Sequence, residues 1–309
     1  MSATNHQSLL GLNSCSPLHL ASDAIRQALS GVNPALSPDT FRATINAMRG
    51  FQVSNADSVL VTPDIAYGSD VRQKFNWYEP AKQPDFAPSK VLLFVHGGGF
   101  VGGDKREPDS PLYDNIGRWA AAHGMYAATI NYRLAPQHPW PAGAEDVRLA
   151  VEAVAARVRS LIGTPAKVVA MGHSGGAVHV AGAVTLRKPP PEVIGCVLLS
   201  GIYDNTVGKP NPAYFGDRPE LYSSQSSLPG LALSDIPLFL AVSEHEPIRM
   251  HAEAISVMKA RLDNEKTLPQ FVVLDGNNHY SSVLLLNSVV DLLGPRLLEF
   301  FARIDSCCT

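Results

Sequence analysis

The strongest constraint in this chain is an alternation. Short, almost wholly apolar runs at residues 91–95, 126–132 and 167–171 are separated by segments at 112–123 and 144–161 whose apolar residues recur at helical spacing. A further helical segment follows Gly175. Runs that are apolar on both sides of the pleat belong to strands buried on both faces, and helical crossovers between them imply parallel pairing with right-handed connections. Three more strand-like runs, at 193–199, 237–242 and 270–274, continue the pattern with helices expected at 250–262 and 289–304. Upstream, extended runs at 59–66 and 72–78, the second closing at Pro80, predict an antiparallel hairpin at a sheet edge. The reading is therefore an α/β fold of about eight mostly parallel strands with helices on both faces.

The two ends of this pattern differ in texture. Residues up to about 16 are polar and patternless, and residues 80–88 are proline-rich. Between them lie two short helical patterns. In the second, Ser37 reads as an N-cap with Pro38 in the first helical position, Phe41, Ile45 and Met48 share a face, and Gly50 closes the segment. Residues 1–57 are thus expected to form a helical arm that contributes to a cap, and residues 58–309 the main α/β domain. At 204–235 periodicity fails and Pro, Ser, Gly and Tyr accumulate, which predicts a loop or cap insertion after a strand's C-terminal end, the edge where open α/β sheets bind ligands.

Composition excludes several function classes. With 25 Lys+Arg against 28 Asp+Glu, the net charge of −3 supplies no positive field for nucleic acid or an anionic membrane. Four cysteines in 309 residues make no disulfide framework; Cys196 is expected in a buried strand, and Cys307 and Cys308 adjoin at the end of the chain. The first basic residue is Arg26, and no apolar run is long enough to span a bilayer. A cytoplasmic protein without a membrane span is expected. The sequence leaves the oligomeric state open, a homodimer included.

Chemistry concentrates at the ends of the strands. Ser174 sits in Gly172-His-Ser-Gly-Gly176, between an expected strand and an expected helix, where small residues permit a turn sharp enough to present the hydroxyl. The helix start also aims N–H groups and a positive dipole end at the same point. The strand at 91–95 runs into His96-Gly-Gly-Gly-Phe100, so the amides of Gly98, Gly99 and Gly175 could converge on an oxyanion. A phosphate-cradling loop is the poorer reading, because no Lys-Ser/Thr follows at the required spacing.

A serine nucleophile needs a base and a carboxylate to orient it. His279, just after the expected strand at 270–274, is the best base. The acid should follow the strand at 237–242, where Glu244 and Glu246 compete and spacing does not choose between them. Phe100, Tyr203, Tyr214, Phe215 and Tyr280 flank these motifs or lie in the insertion, and are candidate substrate-pocket walls.

Over residues 60–305 these motifs resemble the α/β-hydrolase superfamily, specifically the hormone-sensitive-lipase-like esterases. The resemblance rests on HGGGF at 96–100, NYRLAPQHPWPA at 131–142, GHSGGA at 172–177, and the acid and histidine loops. It implies an α/β-hydrolase fold, a serine esterase working through an acyl-enzyme, and no metal or organic cofactor. It also implies architectural roles for Arg133, Pro136, His138 and Pro141. Aligning Ser243-Glu-His-Glu-Pro-Ile-Arg249 with the family's E-x-D-P-L-R pattern puts Glu246 at the acid position. Two features depart from the pattern: Glu replaces the usual Asp, and GHSGG replaces GDSAG. The His before Ser174, with Tyr67-Gly68 and the segment 72–80, resembles the feruloyl-esterase and arylformamidase branches. The expected activity is hydrolysis of a small or medium carboxylic ester by Ser174, His279 and Glu246. Amide hydrolysis of an arylformamide is a second reading, and a non-catalytic small-ligand receptor on the same fold a third.

Overall fold

The structure is a computed structural model that describes residues 17–53, 56–82 and 90–306. Residues 1–16, most of the proline-rich stretch, and Cys307 and Cys308 lie outside the described residues. Eight strands form one sheet: β1 (Val59–Ala66), β2 (Lys74–Pro80), β3 (Lys90–Val95), β4 (Tyr126–Ile130), β5 (Lys167–His173), β6 (Val193–Leu199), β7 (Leu238–His245) and β8 (Gln270–Asn278). Their spatial order is β1-β2-β4-β3-β5-β6-β7-β8. The β1–β2 hairpin is antiparallel, β2 joins β4 antiparallel, and every later pairing is parallel.

Eleven α-helices are found among the described residues. The arm supplies α1 (Pro17–Ala28) and α2 (Pro38–Met48); α3 (Asp114–Ala122), α4 (Ala142–Ile162) and α5 (Gly175–Thr185) are crossovers. The segment after β6 holds α6 (Pro212–Phe215), α7 (Pro219–Tyr222) and α8 (Leu228–Leu233). Then come α9 (Ile248–Asp263), α10 (Ser281–Leu284) and α11 (Gly294–Ser306). None is long and apolar enough to cross a membrane.

Strand pleating divides the core into two layers. Val168 and Ala170 of β5 face α4, α5 and α9, whereas Val169 and Met171 face α1, α3 and α11. The same division holds along β6, where Cys196 and Leu198 point one way and Val197 and Leu199 the other. Burial drives the Cys196 thiol up to about 12, so it is a packing residue.

Three boundaries differ from the pattern reading, each for a local reason. Strands β7 and β8 continue past their apolar ends because Ser243 pairs with Leu274 and His245 with Asn278. The last helix starts at Gly294 rather than 289, since the Asp291 carboxylate accepts from the amides of Leu293 and Gly294 at 3.0 and 2.7 Å. The insertion is not plain loop: prolines at the first turns of α6, α7 and α8 start three short helices, too brief to show a period. In the arm, Ser37 caps α2 as expected, accepting from the Thr40 amide at 3.1 Å.

The core also buries histidines. His96 and His179 are fully enclosed, and burial lowers their affinities for protons to about 4 and about 3. Unfolded imidazoles titrate near 6.5, so these two contribute full stability above that pH and lose it as pH falls and the unfolded chain takes up protons. At pH 5 the loss is on the order of 2 kcal/mol for each buried imidazole. The melting temperature is therefore expected to fall between pH 7 and pH 5, and to fall less steeply in His179→Leu. Equal slopes in scanning calorimetry would contradict this.

Candidate active site

A sharp turn separates β5 from α5, and Ser174 is its apex. Its φ of 54° and ψ of −121° place a non-glycine residue in sparsely occupied backbone space, at a cost of roughly 1–3 kcal/mol. Two glycines permit it. A Cβ on Gly172 would lie 2.4 Å from the Gly176 carbonyl oxygen, and one on Gly176 would lie 2.1 Å from that of Val95. Helix α5 therefore begins against the end of β3, and Ser174 is left partly exposed above the sheet.

The loop after β3 lies beside it. Gly98, at φ 127°, passes so close to Gly102 that any Cβ would meet its carbonyl oxygen at 2.1 Å. The Gly98 and Gly99 amides donate to no other protein group among the described residues, and Gly175 opens α5, where first-turn amides lack intrahelical acceptors. Among the contacts that hold this loop from outside, Asn211 Nδ2 donates to the Gly99 carbonyl at 2.8 Å and the Ala135 amide donates to the Phe100 carbonyl at 3.0 Å.

The tips of β7 and β8 bring an acid to a base. His279 Nδ1 and Glu246 Oε2 are 2.8 Å apart, with both side chains almost wholly buried. The other carboxylate oxygen of Glu246 accepts from the Ser243 amide at 2.8 Å and from Ser200 Oγ at 3.0 Å. A buried carboxylate satisfied by three donors stays aimed at the imidazole. Glu244 points elsewhere: its Oε2 accepts from the Gly276 amide at 2.7 Å and from Arg26 at 2.9 Å. No hydrogen bond joins Ser174 to His279 among the described residues; such contacts often tighten only when substrate binds.

The expected pocket walls separate into three groups. Tyr280 lines a cavity of about 390 Å³ with Gly97, Gly98, Gly103, Glu107, Tyr113, and Leu36, Ser37, Pro38 and Phe41 of the arm. Phe100, Tyr214 and Phe215 pack on one another, Phe100 stacking on Tyr214 at 4.6 Å, and the Phe100 ring lies against Gly175. Tyr203, expected as a wall, is only 2% exposed and packs in the main core, because Glu253 pulls its amide inward at 2.8 Å. Arg133 serves architecture, gripping the fully buried Asp146. Among the described residues, no group of three His, Cys, Asp or Glu side chains could hold a metal ion.

Several residues here had no sequence signal. Ser200 and the Ser243 amide reach Glu246 through strand register, and Leu36 and Phe41 reach the cavity because the arm folds back over it. Asn211, which caps the short helix starting at Pro212, also tethers Gly99, and no sequence pattern marks that contact.

The mostly parallel eight-stranded sheet with a serine turn at the end of β5 has the α/β-hydrolase architecture. The family model described as "alpha/beta hydrolase fold" matches residues 92–228, which contain the glycine loop and the Ser174 turn. The chain is 30% identical over 199 residues to "Esterase LipI" of Mycobacterium tuberculosis, covering 56% of this chain and 60% of that protein. It is 27% identical over 284 residues to "Carboxylesterase NlhH" of the same organism, covering 74% and 84%. Its fold resembles that of "Bacterial Heroin Esterase" with a TM-score of 0.67 at 22% identity, over 91% of this chain and 97% of that one. The chain therefore has the fold of the α/β hydrolases and is similar, over part of its length, to esterases and carboxylesterases.

The two carboxylates give a direct prediction. Glu246→Ala is expected to lower kcat by roughly 10²–10⁴-fold, because the imidazole loses its orienting partner. Glu244→Ala is expected to leave kcat within about threefold and to cost some stability instead. Ester-hydrolysis kinetics with melting curves separate the two, and the reverse ranking would contradict the geometry.

Proposed function

We propose that the protein hydrolyses carboxylic esters of small or medium size through an acyl-enzyme on Ser174. The observation that carries this reading is the buried 2.8 Å contact between Glu246 and His279 at the same sheet edge as the strained serine turn. The names of its relatives, esterase and carboxylesterase, support the ester as substrate.

In this mechanism His279 Nε2 takes the Ser174 hydroxyl proton as Oγ attacks the ester carbonyl, while Glu246 stabilises the imidazolium. The amides of Gly98, Gly99 and Gly175 donate to the oxyanion, where fixed dipoles act without reorganising. His279 then protonates the departing alkoxide, and the alcohol leaves an acyl-serine. Water, deprotonated by the same imidazole, attacks the acyl carbonyl and releases the carboxylic acid with Ser174 restored.

The arm and the 204–235 insertion act in this reading as two halves of a cap. One side supplies Leu36, Pro38 and Phe41 to the cavity, and the other holds the glycine loop through Asn211. The cavity walls are mostly apolar, which suits an acyl or aryl group. Its one ionisable carboxylate, Glu107, has no cation within ion-pair distance among the described residues, and burial with the nearby Asp104 raises its pKa. Such a cavity repels a second carboxylate.

Two measurements test the proposal. Ser174→Ala is expected to abolish turnover of p-nitrophenyl acetate, butyrate and octanoate above background, and equal rates in wild type and variant would remove Ser174 as nucleophile. A formanilide assayed in parallel distinguishes amide from ester hydrolysis. The p-nitrophenyl hemiester of succinate is expected to have a lower kcat/KM than the butyrate by roughly tenfold, and Glu107→Gln to narrow that gap. An unchanged gap would mean that the acyl group does not enter this cavity.

A further inference from the structure

The residue before the nucleophile belongs to a buried polar chain that the mechanism above does not use. The Gly97 amide donates to the Tyr113 hydroxyl at 3.3 Å, Tyr113 Oη lies 3.2 Å from His173 Nδ1, and His173 Nε2 lies 3.0 Å from the backbone carbonyl of His279. The rings of His173 and His279 are also in contact, with centroids 4.6 Å apart. One end of this chain is therefore the oxyanion loop and the other the catalytic base.

Donor accounting fixes every proton in it. The Gly97 amide can only donate, so the tyrosine oxygen accepts there and its own proton is free to go to Nδ1 of His173. An imidazole that accepts at Nδ1 must carry its proton at Nε2, and a carbonyl oxygen, which can only accept, faces that nitrogen. The arrangement works only for a neutral ring. Complete burial, with His279 alongside, holds the His173 pKa well below its usual value. A positive charge there would oppose the imidazolium that His279 becomes.

Tyr113 shows that the arrangement is imposed rather than incidental. It is a bulky residue at φ 71°, a conformation that persists only where the surroundings hold it, and it is 7% exposed. Its ring packs against Phe94 and His96, and its hydroxyl bridges the Gly97 amide and His173 Nδ1. The His279 carbonyl also accepts from Ser282 Oγ at 3.0 Å, so two donors fix that peptide.

We propose that Tyr113 and His173 are positioning residues: the tyrosine hydroxyl locks His173 as the Nε2–H tautomer, and that N–H with the ring face holds His279 in register with Glu246 and the oxyanion loop. The proposal rests on the reading of His279 as the base. It explains why histidine stands where the resembled esterases usually carry aspartate: an acceptor-only carboxylate cannot donate to the His279 carbonyl.

The test compares Tyr113→Phe, His173→Gln, His173→Leu and His279→Ala in ester hydrolysis, with melting curves and ¹⁵N spectra of labelled imidazoles. Wild-type His173 is expected to be protonated at Nε2 alone. Tyr113→Phe is expected to lower kcat roughly tenfold with KM within about twofold, the factor that one net hydrogen bond supplies, and to shift His173 toward the Nδ1–H tautomer. His173→Gln keeps an N–H at the Nε2 position and is expected to retain several times the kcat of His173→Leu. Wild-type activity in both His173 variants, or equal loss in Gln and Leu with both folded, would overturn the proposal. So would an Nδ1–H tautomer in the wild type, a result independent of any variant's folding. Full activity in His279→Ala would instead overturn the base assignment itself.

Discussion

Everything at this site is arranged around one strained residue. A sharp turn between a parallel strand and its crossover helix lifts a serine above the sheet edge, and the local sequence can adopt it only because Gly172 and Gly176 leave room for neighbouring carbonyls. The same close approach brings the start of α5 against the end of β3, so the first helical amide and the glycine loop face one another across Ser174. Strain in the turn is offset by the surrounding layers: the strand enters from a core buried on both faces, and the helix leaves along Ala177 and Val180 into the same core.

If Ser174 is the nucleophile proposed above, the acid and base must come to it. They do so on the polar ends of β7 and β8, which remain paired beyond their apolar stretches. Glutamate in the proposed acid role lengthens the arm by one methylene relative to aspartate, and Glu246 is pinned by the Ser243 amide and Ser200 Oγ. The substitution is thus compatible with an ordered acid–base pair. Around this centre, the helical arm and the post-β6 insertion approach from two sides. The arm is tethered through Thr44, whose Oγ1 accepts from Asn278 Nδ2 at 2.8 Å, one residue before His279, so the positions of the arm and of His279 are coupled.

What could be read from the residues alone follows the range of the forces involved. Strand and helix identities were legible because burial on both faces leaves continuous apolar strand runs and burial of one helix face imposes a period of 3.6, and the serine turn because its glycines are sequence neighbours. The choice between Glu244 and Glu246 was not legible from spacing; it depends on which carboxylate meets a histidine 33 positions away and which meets Arg26. The extent of β7 and β8 was missed because their last residues are polar and are held by register rather than burial. Tyr203 looked like a pocket wall because it adjoins the insertion, whereas its place was decided by the buried Glu253 on α9. His173, a departure from the resembled motif, acquires a meaning only when Tyr113 and the His279 carbonyl are brought to it by three different elements.

The central claim is that one serine, activated at this turn, carries the acyl group. The most direct measurement is intact-protein mass spectrometry with peptide mapping after treatment with a p-nitrophenyl alkylphosphonate, whose phosphorus is attacked in place of the ester carbonyl. The account predicts one adduct per chain, on Ser174, with p-nitrophenol released in equal amount and esterase activity lost in proportion. An adduct on another residue, or full activity remaining in protein labelled at Ser174, would contradict it.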